Sequence, residues 1–192
     1  MYLEDVEKTL RNLKNKQTAG LDNVPSFIIK DCANVLAEPL LYLFNLILKT
    51  STFPTVWKVA KICPILKKGD ASHIQNYRPI SILSNFSKAF ESILYKYIYG
   101  MVSFMIDTNQ HGFMTKRSTV TNLSVFSQYV ADEINTNGQV DVIYTDMQKA
   151  FDQLDLNILL KKLNVLGFSE SLCTLLSSYL LHRKQLVMSH CG

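Results

Sequence analysis

The sequence predicts an α+β fold in which helices dominate and strands are few. Three observations carry this. Apolar residues recur at spacings of three and four over most of the 192 residues, the period of a half-buried helix. Only short segments, at 57–67, 140–145 and from 185, have an extended pattern. Hydrophobic residues make up 47% and charged residues 19%, so the chain has the material for a real core and is no disordered tail or polar linker.

The elements follow in order. Leu3, Val6, Leu10 and Leu13 predict an amphipathic helix over 2–15. Residues 17–25, Gln-Thr-Ala-Gly-Leu-Asp-Asn-Val-Pro, form a turn-rich break. Two apolar helices are expected at 26–36 and 38–50, ended by Thr52-Phe53-Pro54. Val59, Ile62, Ile65 and Leu66, with lysines between, suggest a strand pair or extended segment that turns at Lys68-Gly69-Asp70. Phe86, Phe90, Ile93, Leu94, Tyr97, Ile98 and Met101 place a helix over 86–101. An irregular polar stretch over 103–117 precedes a helix capped at Ser118 or Thr119, with Leu123, Phe126, Val130 and Ile134 on one face and Gly138 at its end. Val140-Asp-Val-Ile-Tyr-Thr145 reads as a buried strand. A helix from Asp155 to Leu166 stops at Gly167, and another is capped by Ser169 with Leu172, Leu175, Leu176, Tyr179 and Leu180 inward. Gln185 to Ser189 opens a last strand.

The whole-chain charge of +4 says little, but its distribution is uneven. Residues 57–117 carry nine basic groups against three acidic, a local +6, whereas residues 1–56 and 140–192 balance. Such a block suits a phosphate-facing surface, or simply a solvated face. The four cysteines (Cys32, Cys63, Cys173, Cys191) form no C-x-x-C pair and suggest neither a zinc ribbon nor a disulfide framework. The longest apolar run, Leu40 to Leu48, is far short of a membrane span, and the N-terminus has no basic-then-apolar signal design. The expectation is an intracellular protein without signal peptide or membrane contact, nucleus and cytoplasm both open.

The sharpest chemical feature is a β-branched strand ending in Asp146, followed by Met147-Gln-Lys-Ala-Phe151-Asp152. A carboxylate at a strand end, with free backbone amides beyond it, can hold a divalent cation that bridges to phosphate oxygens. Taken alone, Asp146 could equally cap the next turn.

It does not stand alone. Lys16-Gln-Thr-Ala-Gly20-Leu-Asp22-Asn-Val-Pro25 opens the chain, and Trp57-Lys-Val-Ala-Lys61-Ile-Cys-Pro-Ile-Leu-Lys67-Lys-Gly-Asp leads to Asn76-Tyr-Arg78-Pro-Ile-Ser81. Then come Gln110-His-Gly112-Phe113 with Arg117-Ser-Thr, Asp146-Met-Gln-Lys-Ala-Phe-Asp152, and Leu180-Leu-His-Arg183-Lys-Gln185. In this order and spacing, over nearly the whole chain, the sequence resembles the reverse transcriptases of non-LTR, LINE-type retrotransposons, the jockey-like group especially.

The resemblance implies a right-hand polymerase, an RNA-directed DNA polymerase working on an RNA template, a DNA primer and deoxynucleoside triphosphates. Residues 1–56 would be a helical segment joining the fingers, 57–139 the fingers with the first palm helices, and 140–192 a partial palm with a small incomplete antiparallel sheet. Asp146 would be the first catalytic carboxylate and a ligand of the two Mg²⁺ ions. The amides of Met147, Gln148, Lys149, Ala150 and Phe151 would cradle the triphosphate. Phe151 matches the steric-gate position, its rival reading being core packing. Lys61 or Lys67, together with Arg78, would grip the triphosphate from the fingers. Gln110, Gly112 and Phe113 match the template-contacting segment, and Lys116 and Arg117 read as phosphate contacts. Trp57 and Pro79 are read as packing residues.

The family continues past the Arg183 junction with a Gly-Val-Pro-Gln-Gly-Ser loop and an Asp-Asp pair, and no Asp-Asp dipeptide occurs in these 192 residues. The implied state is a fragment, inactive on its own, that self-associates through an unpaired palm edge at Val140–Thr145. The alternative is a non-catalytic remnant that at most binds nucleic acid through its basic central segment. A group II intron-type maturase is a third reading.

Overall fold

A computed structural model describes residues 1–147 and 150–187. The chain forms seven α-helices and one small sheet among those residues, and divides into two compact units. One comprises Met1–Tyr97 and the chain from Asp155 on; the other is Ile98–Leu154.

In the larger unit, α1 (Leu3–Arg11) buries Val6 and Leu10 and carries a surface ion pair from Arg11 to Glu7 at 2.6 Å. The helix stops well before residue 15. After α2 (Ser26–Asp31), Cys32 is at once the C-cap of one helix and the N-cap of the next. The break therefore falls five residues earlier than expected, and α3 (Ala33–Thr50) runs straight through Pro39. Ala33, Ala37, Leu40, Phe44 and Ile47 form one unbroken buried stripe across it. A mid-helix proline costs about 3 kcal/mol. Burying the stripe as one face outweighs that.

Phe53, Trp57, Phe44 and Phe90 form the centre of the core, with Phe44 and Phe90 centroids 5.2 Å apart and Phe53 set edge-on to Tyr179 at 4.9 Å. A 3₁₀ turn, Thr55–Lys58, feeds β1 (Val59–Leu66). The sequence left the second strand unidentified: it is β2 (Tyr77–Ile82), inside the Tyr-Arg-Pro-Ile-Ser motif, antiparallel to β1 with Lys61 opposite Ile82 and Ile65 opposite Arg78. Pro64 faces Pro79 across this ladder, and Pro79 is exposed, not packed as expected. Helix α4 (Asn85–Val102) follows, matching the expected 86–101 stripe and burying Ala89, Phe90, Ile93 and Leu94. Farther along it, Tyr97 and Met101 are exposed.

The Gly20 turn is locked to the start of α4. Ser84 Oγ donates to Asp22 at 2.5 Å, and Asn85 Nδ2 donates to the carbonyls of Thr18 and Val24 at 3.1 and 2.9 Å. A Cβ on Gly20 would stand 2.6 Å from the Ser84 backbone nitrogen.

At the C-terminal side, Asp155 caps α6 (Leu156–Val165), Gly167 takes a positive φ of 87°, and Ser169 caps α7 (Glu170–Leu180), as the sequence predicts. Helix α7 is held to the core by Ser178, whose Oγ accepts the Phe53 N–H at 3.0 Å, and by Tyr179, whose hydroxyl donates to Glu91 at 3.3 Å. Burial, with the nearby Glu91 charge, pushes the Tyr179 phenol above its ordinary value. The chain then enters β3 (Lys184–Val187), which pairs in parallel with β1 from Val59 to Ile62. The expected strand's last residue, Ser189, lies outside the described residues. The sheet order is β2-β1-β3, so the sheet is mixed, not antiparallel. The α7 connection returns the chain to the same end of β1, which a hairpin could not do.

In the smaller unit, α5 (Thr119–Asn135) is capped by Ser118, whose Oγ accepts the Thr121 N–H. Beyond its C-cap Thr136, Asn137 takes the left-handed region, φ 57°, one residue before Gly138, whose N–H reaches back to the Glu133 carbonyl at 2.8 Å. Leu123 and Ile134 on its apolar face are exposed. The expected buried strand Val140–Thr145 does not form: the segment has no regular structure, and Ile143 and Tyr144 are 87% and 86% exposed. A strand needs a hydrogen-bonded neighbour, and among the described residues the one sheet offers it none.

Two glycines separate close approach from mere helix entropy. Gly20→Ala should lower unfolding stability by about 3 kcal/mol, since the clash is with backbone. Gly100→Ala, inside α4 with open space around it, should raise stability by about 1 kcal/mol. Urea unfolding of both variants checks the pair.

Candidate functional site: a basic hairpin and an exposed Asp146 turn

The candidate residues fall into two groups, one on each unit. On the larger unit, the β1–β2 hairpin carries Lys61, Lys67 and Arg78. Lys61 is half-buried in mid-strand beside Gln17, Thr18 and Asn23 of the Gly20 turn, with which it lines an open cleft of about 710 Å³. Lys67 is exposed just past the strand end, where its N–H donates to the Asn76 carbonyl at 2.7 Å and extends the ladder by one pair. Arg78, also exposed, sits opposite Ile65.

Alternation then puts all three on one face of the hairpin. Four residues of strand separate Lys61 from the Ile65–Arg78 pair, about 13 Å. Lys67 is the diagonal neighbour of Arg78, about 7–8 Å away.

Asp70 organises the connecting loop. Its carboxylate accepts the Ser72 N–H at 2.9 Å, which holds the group below the usual carboxylate value, and its carbonyl accepts Asn76 Nδ2 at 2.7 Å. Gly69 supplies the left-handed residue, φ 86°. Sequence reasoning saw a turn at Lys68-Gly69-Asp70 and missed this role for the aspartate; an Asp two residues before a serine is the signal for it.

On the smaller unit, residues 107–117 fold into consecutive turns. Asn109 N–H caps onto Asp107, Gln110 N–H bonds the Asp107 carbonyl, and Gln110 Nε2 reaches the Gly112 carbonyl at 3.1 Å. The Thr115 N–H donates to the Tyr99 hydroxyl at 3.0 Å, lowering that phenol's pKa, and the Arg117 guanidinium donates to the Thr108 carbonyl. Arg117 thus fastens the loop it belongs to, with Lys116 exposed beside it at φ 63°. Gly112 needs no positive φ; the left-handed residue is its neighbour Phe113, φ 63°.

Asp146, Met147, Ala150 and Phe151 are all exposed, in a segment without regular structure. Gln148 and Lys149 lie outside the described residues. Phe151 is 81% exposed, so it is no core residue here, and its ring meets that of Phe113 edge-to-face with centroids 6.3 Å apart. Phe113 and Phe151 are therefore in contact within one unit.

Among the described residues no three His, Cys, Asp or Glu side chains gather into a possible site. A hard divalent cation surrenders water only to several converging oxygens, so Asp146 by itself does not amount to a metal site. No helix among the described residues is long and apolar enough to cross a membrane.

Exposure makes a prediction about what these residues are for. Asp146→Ala should change unfolding stability by no more than about 0.5 kcal/mol, and Phe151→Ala by no more than the roughly 0.5–1.5 kcal/mol of its ring contact with Phe113. Phe90→Ala, from the buried centre, should cost about 3–5 kcal/mol in the same denaturant titration.

Residues 65–191 match the sequence profile of the reverse transcriptase (RNA-dependent DNA polymerase) family. Among curated proteins the chain is similar to the probable RNA-directed DNA polymerase from transposon BS of Drosophila melanogaster, at 28% identity over 188 residues, 96% of this chain and 21% of that protein. It is 27% identical over 155 residues to the RNA-directed DNA polymerase from mobile element jockey of the same fly, covering 79% of this chain and 17% of the relative. The Pol polyprotein from the type-1 retrotransposable element R1 of Bradysia coprophila matches at 28% over 165 residues, 84% of this chain and 16% of the relative. The chain spans about one fifth of the length of these relatives. Its profile match and its relatives together place the chain in the reverse transcriptase family, in the branch carried by non-LTR retrotransposons.

Proposed function

We propose that this chain is the fingers and first palm portion of an RNA-directed DNA polymerase that copies RNA onto a DNA primer from deoxynucleoside triphosphates. The observation that carries the reading is the profile match over 65–191 falling on motifs whose polar and aromatic residues stand in solvent. Residues 1–56 join the fingers, 57–139 are the fingers and first palm helices, and 140–192 begin the palm.

On the hairpin, Lys67 and Arg78 are the triphosphate-binding pair. Their diagonal spacing lets two cations meet neighbouring phosphates, and both side chains are exposed. Lys61 lies a strand's length away and is half-covered, which suits a contact to the template backbone better. Gln110, Gly112, Phe113 and Lys116 face the template or primer, and Arg117 keeps the remainder of its guanidinium for a phosphate after bonding Thr108. Phe151 supplies a flat ring under the incoming sugar, excluding a ribose 2′-hydroxyl by bulk. Asp146 is the carboxylate this segment offers toward the Mg²⁺ ions that the family uses. Since one carboxylate does not hold them, no chemical step is assigned to residues 1–192 by themselves.

That gap favours a binding-only behaviour for the isolated chain. It should show no primer extension with Mg²⁺ present. The polypeptide encoded by the whole reading frame should extend a primer and lose that activity in Asp146→Asn. Extension by residues 1–192, abolished by the same substitution, would overturn the reading. The isolated chain should still bind single-stranded RNA without sequence preference, its affinity falling steeply with salt. Lys61→Ala or Lys116→Ala should each lower the slope of log affinity against log salt by about 1. A slope near zero in the parent would reject the phosphate-contact account.

Val142, Ile143 and Tyr144 give the chain an uncovered apolar segment. We propose that it drives self-association. Light scattering should find a mass that grows with concentration in the parent and a monomer in Ile143→Asp. A monodisperse parent at high concentration counts against it.

A further inference from the structure

We propose that Phe113 is a positioning residue for the Phe151 ring, and that through it the 107–117 loop sets how strictly the polymerase excludes ribonucleotides. The inference rests on the reading of Phe151 as the gate. Phe113 is a bulky residue at φ 63°, in the left-handed region that favours glycine, although a glycine stands one position earlier without needing it. Such a conformation persists only where the surroundings fix it. Here they do: Gln110 bonds the carbonyl just ahead of it, the His111 carbonyl accepts the Met114 N–H, and Tyr99 holds Thr115.

Burial is not the return for this strain, because Phe113 is 89% exposed. What the conformation achieves is the ring contact: Phe113 and Phe151 meet at an interplanar angle of 85°. An edge-to-face pair is directional, the electropositive rim of one ring against the electronegative face of the other, so it fixes tilt as well as distance. An exposed phenyl on an irregular turn otherwise exchanges rotamers within nanoseconds. A ring that excludes a single hydroxyl by bulk has to stay in one place, and Phe113 is the described ring that restrains it.

The test uses the whole-reading-frame polymerase on an RNA template with a DNA primer, and reads the ratio of kcat/KM for a deoxynucleotide to that for its ribonucleotide. Any loss of template grip lowers both and cancels in the ratio. Phe151→Val should reduce the ratio by more than about tenfold. Phe113→Leu should reduce it by about threefold to tenfold, the range an aromatic edge-to-face contact sustains. Phe113→Tyr should hold it within about twofold of the parent, and Phe113→Leu added to Phe151→Val should change nothing further. A parental ratio in Phe113→Leu, with the ratio lost in Phe151→Val, overturns the positioning role and leaves the gate standing. A parental ratio in Phe151→Val removes the gate reading itself, and this inference with it.

Discussion

Phe53 and Phe90, both fully buried, are the contact on which the larger unit depends. Around them meet α3 through Phe44, the entry to β1 through Trp57, and α7 through Tyr179. None of these elements would fix the hairpin by itself, since a two-stranded ribbon is marginal in water. The Phe53 amide on Ser178 and the Tyr179 hydroxyl on Glu91 convert packing into registration, because they set where along α4 the last helix ends. Registration of α7 then decides where β3 meets β1. The basic hairpin is thus anchored at one end to an aromatic core and exposed at the other.

How much of this could be read from the residues varied with what holds each element. Helices capped by Ser118, Asp155 and Ser169 were legible nearly to the residue, because a cap and a periodic stripe are local signals. The break between α2 and α3 was misplaced, because a buried stripe that only the fold assembles carries α3 back to Ala33 and through Pro39. The strand β2 was missed for a related reason: Tyr-Arg-Pro-Ile-Ser has no clean alternation, and its pairing partner lies across a loop ordered by Asp70. Val140–Thr145 failed in the opposite direction. Its β-branched composition is that of a strand, but composition does not supply a neighbour to bond with.

The candidate site was legible as an inventory of residue types and not as an arrangement. The motifs named Lys67, Arg78, Asp146 and Phe151 by resemblance; only the register distinguishes Lys67 from Lys61 by distance to Arg78, and only the coordinates join Phe113 to Phe151. Arg117, read from the sequence as a phosphate contact, also proves to be a fastening of its own loop. Long-range geometry of this kind leaves no trace in spacing along the chain.

The facing prolines of the hairpin have a consequence for assembly. Neither Pro64 nor Pro79 has an N–H, and the Lys67 bond to Asn76 shows that odd positions of β1 point their donors at β2. Pro64, at an even position, therefore lacks a donor on the flank of β1 that faces away from β2, and Pro79 lacks one on the outer side of β2. At that level of the arm neither flank presents an N–H to a further strand. A missing donor on each side weakens the edge-to-edge pairing to which bare ribbons are prone.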